Sequence, residues 1–255
     1  CVGRILTPSA RGASGMTLEG LVCCGCFKSY GKQLAVEDVS FQVKPGTTVG
    51  LVGVNGAGKT TVLHAIVGLT RLDAGDITLD GIPTRQAQAK RRLAFMPDDL
   101  PRPDHLTGRE LISLNTRLYG RRQDEAVVNQ LADRLEMSDR LDQLVGSFSH
   151  GMARKVDFIA AIVVRPDVLI LDEPFSGMDP WMVDEISGIL RQRQEEGASN
   201  LLSSHDLELV ARLANEIVMI DHGRVIFTGS VEEILDFGSA ADVRTAFRNI
   251  STRKK

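Results

Sequence analysis

The sequence predicts an α/β layered domain, and three observations support this class. Short apolar runs bounded by Gly, Asp and Pro alternate with stretches of helical periodicity. One run, residues 49–54, is followed directly by a predicted helix at 57–67, and another, residues 168–171, is typical of a fully buried strand. Between Pro97 and Pro166 the pattern becomes helical. We therefore expect a sheet core interrupted by a group of helices.

The remaining elements follow in order along the chain. Strands are predicted at 76–80 and 94–96, and again at 200–204, 216–220 and 224–228, with a turn at His222-Gly223. Within the helical region two apolar stripes are expected to face the core. One stripe comprises Leu111, Leu114 and Leu118, and the other comprises Val156, Ile159, Ala160 and Val163.

Composition limits the functional classes. The chain has 255 residues, 43% of them hydrophobic, and a formal net charge of -3, which is ordinary for a globular domain. Because a nucleic-acid binder usually carries a basic excess, no nucleic-acid partner is expected. The richest apolar run, residues 158–164, is far shorter than the roughly 18–20 residues that span a bilayer.

Three of the four cysteines, Cys23, Cys24 and Cys26, lie in one predicted strand. Because neighbours on a strand point to opposite faces, Cys24 and Cys26 are expected to share a face that Cys23 does not. A metal site would need further ligands, and no paired Cys or His cluster follows. We therefore interpret these residues as reduced strand cysteines.

The strongest motif is Gly53-Val54-Asn55-Gly56-Ala57-Gly58-Lys59-Thr60, which matches G-x-x-x-x-G-K-[ST] between a strand and a helix. Its glycines let backbone amides surround phosphate oxygens, and the helix start adds partial positive charge. Lys59 is expected to reach the terminal phosphates, and Thr60 to ligate Mg²⁺, with Thr61 next to it on the same loop. ATP and Mg²⁺ are therefore the expected cofactors.

A second motif is an apolar strand that ends in two acids, Asp172 and Glu173. Alone, such acids could be no more than exposed loop residues. Beside a phosphate loop, Asp172 becomes a candidate Mg²⁺ ligand and Glu173 a candidate for orienting the attacking water.

These motifs resemble those of the ABC ATPase family over nearly all of residues 17–235. Phe148-Ser149-His150-Gly151-Met152 is similar to that family's L-S-G-G-Q signature, so Ser149 and Gly151 are implied to meet the nucleotide of an opposite subunit, although Ser149 could simply cap a helix. Asp179 resembles the residue of the loop that crosses the dimer interface, and His205 resembles the switch histidine near the γ-phosphate. Tyr30 matches an adenine-stacking aromatic residue, which favours ATP, although stacking tolerates either purine.

Two positions depart from the family pattern. Asp98 stands where the family has a glutamine that senses Mg²⁺ and contacts the permease, and as a hard oxygen ligand it could still bind the metal. In the signature, His150 and Met152 replace a glycine and a glutamine.

The resemblance implies a P-loop NTPase core with a mixed sheet, an antiparallel β region near the N-terminus and an inserted helical subdomain. The expected divisions are a disordered leader (1–15, before Met16), the first part of the ATP-binding core (16–96), the helical subdomain (97–165), the second part of the core (166–235) and a tail (236–255) that ends in a basic, solvated segment.

The implied function is that of an ATPase subunit at the cytoplasmic face of the cell membrane. It would act as a homodimer or with a sister subunit and power a separate membrane permease that docks near residues 98–110. An alternative is a soluble ATPase of the same family that drives assembly of iron–sulfur clusters. Lys59, Glu173 and His205 are the predicted catalytic residues.

Overall fold

The computed structural model describes residues 19–99 and 101–253. The predicted leader, Met16 and the last two lysines lie outside these ranges. The strands are β1 (Leu21–Tyr30), β2 (Gln33–Val43), β3 (Thr48–Val52), β4 (Ala74–Leu79), β5 (Ile82–Pro83), β6 (Leu93–Met96), β7 (Val168–Asp172), β8 (Ser199–Ser204), β9 (Glu216–Asp221) and β10 (Arg224–Gly229). The α-helices are α1 (Lys59–Val67), α2 (Ala87–Lys90), α3 (Gly108–Leu118), α4 (Glu125–Arg134), α5 (His150–Val163), α6 (Pro180–Glu195), α7 (Leu207–Leu213), α8 (Val231–Gly238) and α9 (Val243–Arg253).

Two sheets form the body of the molecule, and they confirm the predicted α/β class with an antiparallel region near the N-terminus. The antiparallel sheet has the order β2-β1-β4-β5. The second sheet has the order β10-β9-β3-β8-β7-β6 and is mixed, because β10 runs antiparallel to β9 while the inner strands are parallel.

The central strands of the mixed sheet are buried on both faces. In β7, Leu169 and Leu171 pack into one apolar cluster, whereas Val168 and Ile170 pack into the other. Alternate side chains of a strand point to opposite faces, so a continuous apolar run is what a sheet covered on both sides requires. Burial of this strand therefore holds the position at which its last residue, Asp172, emerges.

The cysteines lie differently from the prediction. Cys23 and Cys26, and not Cys24 and Cys26, are the two buried residues. The pairing of β1 with β2 shifts register between Cys23 and Cys26, and Gly25 there has φ 55°. This bulge inserts an extra residue and turns Cys26 to the buried side. Burial raises the pKa of the Cys23 thiol well above its usual value, whereas a hydrogen bond from Cys23 lowers that of Cys26.

Between β6 and β7 the chain forms α3, α4, a short 3₁₀ turn at Val145–Ser147, and α5. The stripe predicted on α5 is mostly correct, since Val156, Ile159 and Ala160 are buried and Val163 is partly buried. The stripe predicted on α3 is correct only at Leu111, which is partly buried against the core. Leu114 and Leu118 are exposed, and the helix instead turns Ile112 and Thr116 inward.

The reason lies in how α3 packs. It lies against α5, and the Asn115 side chain donates to the carbonyl of Ala160, which draws the polar side of the predicted pattern toward the core. Elsewhere, no helix among the described residues is long and apolar enough to cross a bilayer.

Candidate nucleotide site

The glycine-rich loop joins β3 to α1, and its geometry requires glycine at two positions. Gly58 has φ 105°, and a Cβ there would lie 2.5 Å from the Ala35 carbonyl oxygen. A Cβ on Gly53 would lie 2.3 Å from the Ile220 carbonyl oxygen. A side chain at either place would displace the loop, so the residues that bring its backbone amides close together cannot be replaced without strain.

Lys59 is the first residue of α1 and is buried. Its Nζ donates to the Gly53 carbonyl at 2.8 Å and lies 3.9 Å from Glu173 Oε1. The ammonium group is therefore already held between the phosphate loop and the acidic end of β7. A cation in this position can neutralise the charge of a terminal phosphate.

The acidic pair is organised by β8. Ser203 lies opposite Asp172 in the parallel register; its hydroxyl donates to Asp172 Oδ1 at 2.5 Å and accepts from the Glu173 backbone amide at 3.1 Å. Both acids are thus oriented by one side chain that is not among the predicted site residues. Its sequence signal is its place two residues before His205, directly after Leu201 and Leu202 of β8.

Glu173 and His205 are in direct contact. His205 Nδ1 lies 2.9 Å from Glu173 Oε2, and the His205 backbone amide also donates to that oxygen, at 3.4 Å. Glu173 itself has φ 46°, a left-handed conformation that non-glycine residues seldom adopt. Such strain is concentrated at functional sites, where the surrounding contacts maintain it.

A cavity of about 630 Å³ lies over the loop and gathers most of the predicted nucleotide-binding residues. Tyr30, at its edge, is about half exposed, and its hydroxyl lies 3.4 Å from that of Thr70. The predicted residues that line the cavity are Tyr30, Asn55, Gly56, Ala57, Gly58, Lys59, Thr60, Thr61, Asp98 and Glu173. A larger cavity, of about 840 Å³, lies at the opposite edge of the sheet and contains no predicted site residue.

Six predicted residues do not line this cavity. They are Gly53, Asp172 and His205, whose neighbours are described above, and Ser149, Gly151 and Asp179. Ser149 caps α5 by accepting from the Met152 amide at 3.3 Å, and Asp179 caps α6 by accepting from the Met182 amide at 2.9 Å. A Cβ on Gly151 would lie 3.6 Å from the Gly177 carbonyl oxygen, so the starts of both helices are neighbours. Ser149 and Asp179 are exposed and therefore available to another molecule.

The predicted metal ligands suit Mg²⁺. Thr60, Asp172 and Asp98 offer only oxygen donors, and the described residues hold no cluster of three or more His, Cys, Asp or Glu side chains. Mg²⁺ commonly binds one or two carboxylates and takes its other ligands from waters and substrate phosphates. A site with Asp172 oriented by Ser203, and with Thr60 exposed at the start of α1, meets that requirement.

A family model described as "ABC transporter" matches residues 36–176, more than half of the chain. The chain belongs to the ABC transporter family. It is the ATP-binding subunit type of that family, an ATPase coupled to transport.

Relatives and a solved structure agree with this assignment. The chain is 37% identical over 222 residues to Nod factor export ATP-binding protein I of Burkholderia thailandensis, covering 85% of this chain and 72% of that one. It is 34% identical over 218 residues to the ABC transporter ATP-binding protein NatA of Bacillus subtilis, covering 84% and 89%. A solved ATP-binding subunit of an ABC transporter superposes with a TM-score of 0.84 at 30% identity, covering 91% of this chain and 99% of that one.

Proposed function

We propose that this ABC ATPase hydrolyses ATP at Glu173, pairs with a second subunit to do so, and drives a separate membrane permease. The observation that carries the proposal is the junction of Lys59, Asp172, Glu173 and His205 at one edge of the sheet, through the contacts Lys59–Glu173, Ser203–Asp172 and His205–Glu173. Phosphoryl transfer needs little beyond positioning and charge stabilisation, and these residues supply both.

Each residue has a distinct role in the proposal. The amides of residues 55–61 and the Lys59 ammonium hold the phosphates, and Tyr30 stacks on the adenine. Thr60 and Asp172 would hold Mg²⁺, which neutralises phosphate charge when bound, with Asp98 contributing an oxygen to it or to its water. The Glu173 carboxylate accepts a hydrogen bond from the attacking water and orients it in line with the γ-phosphate, while His205 keeps that carboxylate in place and reaches the γ-phosphate itself.

A second subunit would complete the site. Ser149, Gly151 and Asp179 lie outside the nucleotide cavity of their own chain, yet Ser149 starts the 14-residue helix α5, whose N-terminus favours an anion. We propose that these residues meet the nucleotide of a homodimeric partner or a sister subunit. ATP would then close the pair, and hydrolysis would open it.

The permease is proposed to dock near residues 98–110, of which Leu100 lies outside the described residues. This places the subunit peripherally at the cytoplasmic face of the membrane. A relative named for Nod factor export supports an export direction.

The catalytic role is tested by Glu173→Gln. Because the amide cannot accept the water's hydrogen bond as a carboxylate does, turnover should fall by about 10²–10³-fold, whereas ATP binding should persist. Steady-state ATPase assays and binding of a fluorescent ATP analogue measure the two effects. Glu195→Gln, the same change on the exposed end of α6, is the matched control and should leave both unchanged. Undiminished turnover in Glu173→Gln would remove this residue from catalysis.

The paired arrangement is tested in the same variant. Trp181 is the single tryptophan of the sequence, is 66% exposed and lies two residues beyond Asp179, so its fluorescence should report burial at the partner surface. Light scattering should show ATP-dependent doubling of mass in Glu173→Gln together with a blue shift of Trp181 emission. A protein that stays monomeric with ATP bound, at high concentration, would rule out the composite site.

The membrane partner is tested by purifying the tagged chain from gently solubilised membranes. We expect a multi-span membrane protein to co-purify with the wild-type chain. Less of it should be recovered with Asp98→Lys, which reverses the charge at this position. Recovery of soluble partners alone would instead favour the cluster-assembly alternative.

A further inference from the structure

Arg154 is the most deeply buried charged residue in the described part of the chain. It lies in the first turns of α5, and its side chain is 0% exposed. Burial lowers the pKa of its guanidinium, although the nearby charge of Asp98 opposes this. A fully buried charge is costly unless its surroundings satisfy it, so the contacts that Arg154 makes deserve a functional explanation.

The guanidinium joins three elements at the nucleotide site. Nη1 donates to the Asp98 backbone oxygen at 2.8 Å and to Asp98 Oδ1 at 3.1 Å. Nη2 donates to the backbone oxygens of Asp172, at 3.1 Å, and of Glu173, at 2.6 Å. One planar group therefore ties the start of α5 to the residues that follow β6 and to the end of β7.

These contacts fall where small displacements matter most. The Glu173 carbonyl that Arg154 holds belongs to the residue with φ 46°, whose conformation depends on outside contacts. Asp98 has one carboxylate oxygen engaged by Arg154 and lines the cavity, so its other oxygen, Oδ2, remains for a ligand there. The planar guanidinium of an arginine can hold Asp98 and the Glu173 carbonyl at the same time in a fixed geometry. The ammonium of a lysine, a single point charge, cannot.

Arg154 also shares a short helical segment with the candidate partner contacts. Ser149 caps α5 through the Met152 amide, and Arg154 follows within the next two turns of the same helix. The first two turns of α5 therefore link residues 149–151, through Arg154, to the backbone oxygens of Asp172 and Glu173. No other described side chain donates to both of those carbonyl oxygens.

We propose that Arg154 is a positioning residue that couples residues 149–151, at the start of α5, to the placement of Glu173 and Asp98 in the nucleotide site. Arg154 does not line the nucleotide cavity and would act through the residues that it holds. When a partner contacts the N-terminus of α5, Arg154 places the carboxylates of Glu173 and Asp98 for hydrolysis. This inference rests on the proposed catalytic role of Glu173.

The first test compares Arg154→Lys and Arg154→Met with Lys155→Met, a control at the next position of the same helix. Because misplacement of a catalytic group by about 1 Å can cost on the order of 10²-fold, kcat should fall about 10- to 100-fold in both Arg154 variants. Affinity for the ATP analogue should change less than about twofold, as expected when only transition-state interactions are lost. Assays are run under conditions in which urea titration shows each variant to be folded. Lost stability therefore cannot account for a lower kcat at unchanged affinity for the ATP analogue.

The second test is a double-mutant cycle between Asp98→Asn and Arg154→Met, read in kcat and in the free energy of unfolding. If the two residues act as one unit, kcat of the double variant falls no further than that of the more impaired single variant. If they act independently, the fold-decrease in the double variant is the product of the two single fold-decreases. Independent, multiplicative decreases in kcat would overturn the inference. So would a wild-type kcat in folded Arg154→Met.

Failure of the inference is distinguishable from failure of the proposed function. If Glu173→Gln retains turnover, the catalytic assignment itself is wrong. If Glu173→Gln is inactive while the Arg154 variants keep wild-type kcat, only the coupling role is lost.

Discussion

At the scale of single residues, Ser203 is the least conspicuous member of the site and carries two of its contacts. Its hydroxyl holds the Asp172 carboxylate and accepts from the Glu173 amide, so Ser203→Ala leaves that buried amide without its acceptor. We expect a loss of about 1–3 kcal/mol in stability and a roughly tenfold or greater fall in kcat. Urea unfolding and ATPase assays measure the two.

Ser199→Ala is the matched control for this prediction, because Ser199 begins the same strand and its hydroxyl donates to the Lys44 carbonyl at 3.0 Å. It should lower stability by a comparable amount without changing kcat in the folded protein. Equal kcat values for the two serine variants would show that the Ser203 hydroxyl contributes only to folding.

At the scale of elements, α3 offers a direct comparison between an inward and an outward apolar residue. Ile112 is fully buried, whereas Leu118 is 75% exposed. Ile112→Ala removes packed methyl groups and should cost about 2–5 kcal/mol, while Leu118→Ala should change the free energy of unfolding by no more than about 0.5 kcal/mol. Urea unfolding measures both costs. A larger cost for Leu118→Ala than for Ile112→Ala would mean that the predicted stripe, and not the observed face, packs against the core.

At the scale of the whole molecule, Arg92 joins the two sheets. Its Nε donates to Asp167 Oδ2 at 2.6 Å, just before β7, and its Nη2 pairs with Asp80, just after β4. Partial burial favours the protonated form of Asp80, but the Gly20 amide and Arg92 outweigh it and hold the pKa of this carboxyl below its ordinary value. The folded state therefore binds the proton more weakly than the unfolded chain does.

The sign of the pH effect follows from that lowered pKa. The stabilisation is fully present above the ordinary carboxyl pKa near 4 and is lost as pH falls through the lower folded value. Asp80→Asn should cost up to about 1 kcal/mol at pH 7, since the pair is partly exposed, and the difference from wild type should vanish at acid pH. Asp139→Asn, which removes an exposed carboxylate between α4 and α5, is the control and should show no such pH dependence. A constant deficit for Asp80→Asn across the pH range would contradict the linkage.

Much of the fold was predictable because local patterns and the phosphate-loop motif are short-range features. The sequence predicts the strand at residues 168–171, the turn at His222-Gly223 and a helix at 57–67. The structure contains all three, with the helix starting at Lys59. The failures arose where a neighbour decided the outcome. A β-bulge at Gly25 turned Cys26 inward, and packing of α3 against α5 left Leu114 and Leu118 exposed.

The same division holds for the site. Spacing identified Lys59, Asp172, Glu173 and His205 as candidates, because each belongs to a recognisable motif. Ser203 and Arg154 belong to none, although an arginine on the buried face of α5, four residues before Phe158, was a signal that could have been found. Their roles depend on partners 18 to 56 positions away in the chain.

The sequence by itself determined the class of the protein and its phosphate-binding chemistry, because glycine spacing, a lysine at a helix start and acids after an apolar strand are local properties. Only the tertiary structure decided which groups meet. Parallel pairing places the ends of β3, β7 and β8 at one edge of the sheet, so Lys59, Glu173 and His205 come into contact there. The packing of α5 against the sheet, in turn, brings the Arg154 guanidinium to the backbone oxygens of Asp98, Asp172 and Glu173. These three partners are distant in the chain, so only the tertiary structure identifies them.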